Sequence, residues 1–248
     1  MTTKKGRMPA QTVEIVFVID VSGSMRPYID GLKRNLRSLI EPLQQSGLHV
    51  RFGMVAHAIS HSKYRFHFLR PVDEGLLRDL YHGQYNIRDF FTDDAKAFLS
   101  VLDGLKTGGN ETTPVALDFA LDFPFGPLAT TRRVIAFFSD EKIEGGIIPN
   151  GWESVISNLV DKVMARKIML YGFIPESPAS LELSEAERSE MVFWNSGDFE
   201  NIDFAKLLSG MGKSISVSSL QSTKEPEYSK ALFGEDAPGF LTNSCGIK

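Results

Sequence analysis

The chain has 248 residues, and 42% hydrophobic against 23% charged residues is ordinary globular composition with enough apolar side chains for a real core. A formal net charge of -4 gives no general attraction for DNA, RNA or an anionic membrane, so neither nucleic acid nor membrane is expected as a partner. The one cysteine, Cys245, can form no internal disulfide and no cysteine-type zinc site, and the first apolar run, Val13–Ile19, is too short to span a bilayer, which leaves cytoplasmic placement as the default expectation.

Residues 1–12 read as a flexible arm, 13–221 as one α/β domain and 222–248 as an extension with few apolar residues to dock. Val13–Ile19 is a near-continuous apolar run, as a strand covered on both faces should be. Ile29, Leu32, Leu36, Leu39, Ile40 and Leu43 then recur at helical spacing, with Pro27 near the start. Val50–Ala58 is a second strand, and Tyr64, Phe66 and Phe68 alternate with Arg65 and His67 as a half-exposed edge strand reached by a short hairpin would. Pro71–Phe91 mixes loop with a short helix.

A helix follows Thr92 through Ala95, Phe98, Leu102 and Leu105, and Pro114–Leu121 opens another. Val134–Ser139 is again an uninterrupted buried strand. The stripe from Trp152 through Val155, Ile156, Leu159, Val160 and Val163 to Met164 predicts a helix packed on the core, ending in Arg166 and Lys167. Ile168–Ile174 is the next strand, Ser184 with Glu187 predicts a capping box for a short helix, and a helix near Ile202–Met211 and a strand near Ile215–Val217 close the domain. This alternation implies a doubly wound, Rossmann-like, mostly parallel sheet with one antiparallel edge strand and helices on both faces. Functional loops of such sheets lie beyond the carboxyl ends of the strands.

The first strand runs directly into Asp20-Val21-Ser22-Gly23-Ser24, where Gly23 is expected to let the chain turn between two serines. The glycine-opened loop Gly108-Gly109-Asn110-Glu111-Thr112-Thr113-Pro114 leads into a helix, and the strand Val134–Ser139 ends in Asp140. Asp20, Ser22, Ser24, a threonine and Asp140 therefore form an oxygen-only donor set, suited to a hard cation: Mg²⁺ first, Mn²⁺ or Ca²⁺ as alternatives. His57 and His61 sit around a strand and turn and read as plain core or surface residues. Taken alone, Asp-x-Ser-Gly-Ser is also what a turn and helix cap look like.

The strand ending in Asp-x-Ser-x-Ser, a later threonine in a glycine-rich loop and a later strand-end aspartate resemble the metal-ion-dependent adhesion site of von Willebrand factor A-type domains, over about Val13 to Leu220. What the resemblance implies is direct coordination by Ser22, Ser24 and the threonine, with Asp20 and Asp140 acting mainly through water. It also implies a protein partner whose Asp or Glu completes the metal's shell. Thr113 rather than Thr112 fits the family layout, because it immediately precedes Pro114 and Val115-Ala116-Leu117. Glu141 stands where many relatives have glycine, and it or Glu111 would change the charge at the metal or occupy its open position. Intracellular relatives often work with ring ATPases, or with kinases and phosphatases encoded beside them, so the resemblance implies an ATPase, kinase or phosphatase of the same system as a candidate partner.

Two rival classes stand beside this expectation of a non-enzymatic module. Aspartate-based phosphatases share the apolar strand followed by Asp, but need a second Asp where this chain has Ser22. No phosphate-binding Gly-x-x-x-x-Gly-Lys loop, Gly-x-Ser-x-Gly or His-Glu-x-x-His occurs. The other rival is a structural scaffold with an empty site.

Overall fold

A computed structural model describes residues 12–45, 48–60, 63–67, 69, 87–111, 113–145 and 152–194. Its strands are β1 (Thr12–Asp20), β2 (His49–Ser60), β3 (Lys63–His67), β4 (Thr131–Phe138), β5 (Met169–Pro175) and β6 (Ser189–Trp194). The helices are α1 (Ile29–Gln45), α2 (Ala95–Asp103), α3 (Thr113–Leu121), α4 (Trp152–Arg166) and α5 (Pro178–Ser184). They build one six-stranded sheet in the order β3-β2-β1-β4-β5-β6. All pairings are parallel except β2 with β3, which is antiparallel at the edge.

Apart from Glu14 and Asp20, the central strand β1 is apolar on both faces from Val13 on, because helices cover both. Val13, Ile15, Phe17 and Ile19 point to the side of α1 and α2, where Leu32, Leu36, Ile40, Phe98 and Leu102 meet them. Val16 and Val18 point to the other side, against Ala116, Leu117, Ile156, Leu159 and Leu183 of α3, α4 and α5. Burying one such side chain stabilises the fold by roughly 1.5–3 kcal/mol. Within the sheet, the side chains of the two neighbouring strands close over Gly172 of β5, where any Cβ would run into Met191 of β6 and Phe137 of β4.

Glu14, on the second of these faces, is fully buried near the start of β1. Its carboxylate pairs with Arg51 of β2 and accepts the Gly126 N–H at 2.8 Å. Arg51 also lies over the Phe91 ring, 5.5 Å from its centre.

Several elements differ from expectation. The short helix is not capped by Ser184 and Glu187. It begins after Ser177, whose hydroxyl accepts the Ser180 N–H while the Ser180 hydroxyl accepts the Ser177 N–H at 2.8 Å. Pro178 follows at the first turn, where its missing N–H leaves nothing unsatisfied. Ser184 is the last residue of that helix, donating back to the Leu181 carbonyl at 2.6 Å. Met164 is 38% exposed, so the α4 stripe leaves the core before its end. α2 is capped by Asp94, which accepts from the N–H groups of Lys96 and Ala97, and β6 is a strand that the sequence reading did not place. The expected helix near Ile202–Met211, the strand near Ile215–Val217, the extension and the arm up to residue 11 lie outside the described residues.

Candidate functional site

β1 delivers Asp20, fully buried, to the carboxyl end of the sheet. One carboxylate oxygen, Oδ1, accepts the Ser22 N–H at 2.7 Å, and Oδ2 accepts the Ser139 hydroxyl at 2.6 Å. The side chain is thus pinned between its own turn and the residue that follows β4. Ser22 Oγ lies 2.9 Å from Ser24 Oγ, and Ser24 Oγ donates to Asp140 Oδ1 at 3.1 Å. Four of the five expected site residues, Asp20, Ser22, Ser24 and Asp140, therefore meet in one connected cluster.

The third segment is sewn on by backbone bonds. Gly108 N–H donates to the Val21 carbonyl at 2.8 Å, and Gly23 N–H donates to the Gly109 carbonyl at 3.0 Å. The left-handed conformation that this crossing requires falls on Gly109, with φ 93°, and not on Gly23. A Cβ on Gly23 would meet only the Gly109 carbonyl, at an ordinary 3.6 Å, so the turn between the serines does not depend on glycine's freedom as the sequence suggested. Thr113 is the first residue of α3 and is buried, but among the described residues it shares no hydrogen bond with the other four. Thr112 lies outside the described residues.

The site is short of positive charge. Burial, then the neighbouring Asp20 carboxylate, pushes the Asp140 carboxyl up to about 6, although Ser24 donates to it. Burial likewise raises Glu111, with Asp20 and Glu141 adding to the shift. Among the described residues no lysine or arginine pairs with Asp20 or Asp140. A buried carboxylate without a counter-charge is costly, and an oxygen-only donor set is what a hard divalent cation takes. No group of three or more His, Cys, Asp or Glu is gathered closely enough to hold a metal among the described residues, so a cation here would depend on the serine and threonine hydroxyls.

His57 is the neighbour that sequence reasoning passed over as plain core. It is fully buried and stands opposite Asp20 in the β1–β2 register. Burial pushes its pKa down, against the pull of Asp20, and keeps the ring neutral. No sequence signal could have found it, because the pairing joins strands that are distant in the chain.

This sheet order and helix arrangement are the von Willebrand factor A fold. The SpRpn10 VWA domain superposes with a TM-score of 0.53 at 15% identity, covering 81% of this chain and 94% of that one. BatB from Bacteroides thetaiotaomicron does so at 0.52 and 13%, covering 84% of this chain and 99% of that one. The pilus adhesin SpaC from Lactobacillus rhamnosus GG, in its open conformation, matches at 0.54 and 11%, covering 83% of this chain but only 30% of the adhesin. At these identities the likeness is one of fold. No protein-family model matches the sequence, and no curated protein is similar to it at sequence level.

Proposed function

We propose that this chain is a non-enzymatic, divalent-cation-dependent protein-interaction module. Ser22, Ser24 and Thr113 would hold the cation directly, Mg²⁺ first and Mn²⁺ or Ca²⁺ as alternatives, with Asp20 and Asp140 supporting it from behind. The single observation that carries this reading is the Ser22–Ser24–Asp140 hydrogen-bond chain beside a buried Asp20 to which, among the described residues, no cationic side chain is paired. The neutral hydroxyls donate little charge, so a bound cation stays electrophilic and offers its remaining position to a carboxylate. The proposed partner is accordingly a protein presenting an Asp or Glu, with an ATPase, kinase or phosphatase of the same system as the candidates. Ser22 stands where an aspartyl-phosphate enzyme needs its general acid, which supports binding over turnover. No helix among the described residues is long and apolar enough to cross a membrane, and cytoplasmic placement is part of the proposal.

Calorimetry tests the metal: one Mg²⁺ site is expected in the wild type and none in Asp20→Ala/Ser22→Ala, with the fold intact by circular dichroism. Equal affinity in both proteins would overturn the assignment. Capture of protein partners should require Mg²⁺ and fall sharply in Asp140→Ala, while phosphatase assays stay at background. Turnover abolished by Asp20→Ala would instead favour the phosphatase.

A further inference from the structure

Among the described residues the His57 imidazole has no hydrogen-bond partner at either ring nitrogen, although it is fully buried. Buried polar groups are nearly always satisfied, and each exception calls for a physical account. Paired residues of a parallel ladder project to the same face of the sheet. Val18 and Val55, two residues before Asp20 and His57 on their strands, both lie in the cluster beneath α3, α4 and α5. Asp20 and His57 continue that row side by side, and the ladder does not splay there, since Val21 N–H still donates to the His57 carbonyl at 2.9 Å. Each Asp20 oxygen accepts one hydrogen bond, from Ser22 N–H and the Ser139 hydroxyl, which leaves each a further lone pair. A neutral imidazole has one N–H to give.

We infer that His57 is a positioning residue of the cation site, donating a ring N–H to the Asp20 carboxylate when the site is loaded. This rests on the metal-binding reading proposed above. Ser22 and Ser139 hold Asp20 from the β1 turn and from β4, and His57 completes the support from β2. The contact is made by rotation of the ring, whose nitrogens as they stand meet no hydrogen-bond partner among the described residues. Supporting partners of this kind typically change metal affinity 10–100-fold when removed.

Two measurements on the whole chain test it, with Mg²⁺ alone as the probe. In ¹⁵N-histidine-labelled wild type, adding Mg²⁺ should bring the His57 ring N–H into slow exchange and shift it downfield, and Asp20→Asn should abolish the change. By calorimetry, His57→Leu should weaken Mg²⁺ binding about 10–100-fold, whereas His57→Gln, which keeps an N–H donor, should retain most of it. In chelator, His57→Leu should be no less stable than wild type, because it removes a buried unpaired polar group. A merely structural histidine would give the reverse: lower stability in chelator and unchanged affinity. Should His57→Leu fail to fold, the wild-type ring resonance decides, and a signal indifferent to Mg²⁺ overturns the inference. Wild-type protein that takes up no Mg²⁺ at all would bring down the metal-binding reading and this inference together. Mg²⁺ uptake by wild type matched by His57→Leu would overturn this one alone.

Discussion

Asp140 gives the site a measurable pH signature. Its carboxyl rises from 3.8 in an open chain to about 6 in the fold, chiefly through burial and then through Asp20. The folded state therefore binds the proton more tightly than the unfolded state does. Linkage then fixes the sign: the contribution to stability is full below 3.8 and is lost as pH rises through about 6. In chelator, urea melts of wild type should lose stability relative to Asp140→Asn across that window. Mg²⁺ should flatten the loss, because a cation favours the ionised carboxylate that burial disfavours. A difference between wild type and Asp140→Asn that is constant with pH would show that this carboxyl is not held as described.

Among the elements, α5 shows most directly what one residue does for a helix. Ser177 and Ser180 satisfy each other's backbone donors, so Ser177→Ala should cost about 1 kcal/mol in a denaturant melt. Ser184→Ala, at the other end, should change little. The sequence pointed to the wrong serine because Ser184 and Glu187 have capping-box spacing, whereas the Ser177-Pro178 start uses a serine at the third position in place of the usual acid. β1 and its Asp-x-Ser-x-Ser turn were legible because contiguous residues carry both the strand pattern and the proposed donor oxygens. β6 was missed because its six residues open on Ser189 and Glu190, and only pairing with β5 makes them a strand. His57 was illegible for a related reason, since its meaning lies in the register of β1 against β2. What a sequence shows poorly is whatever is decided across strands.

At the scale of the molecule, the two ends of β1 do different jobs. Asp20 lies at the carboxyl end, while Glu14, near the start, is about 20 Å away at roughly 3.3 Å per residue. The Glu14–Arg51 pair joins β1 to β2, and the Gly126 N–H ties the same carboxylate to the loop before β4. Removing one partner of a buried pair strands the other, at a cost of about 3–5 kcal/mol. Arg51 retains some exposure, which puts the figure toward the lower end. Glu14→Ala should therefore lower the melting temperature clearly and leave Mg²⁺ affinity in the folded protein unchanged. Loss of affinity with the fold intact would mean that the two ends are coupled.

The stitching of the site also sets an order of events in time. Ser24 bonds to Asp140, which is 116 positions away, and Gly23 and Val21 bond to the loop at Gly108 and Gly109. Contacts so distant along the chain carry the full entropy of loop closure and form only once β1, β4 and the α3 loop have come together. A cation held as proposed, by all three segments, should find nothing to grip in the folding transition state. Mg²⁺ should accordingly act as a latch on the finished domain: stopped-flow experiments should show slower unfolding and an unchanged refolding rate. Faster refolding in Mg²⁺ would mean that these distant segments meet early.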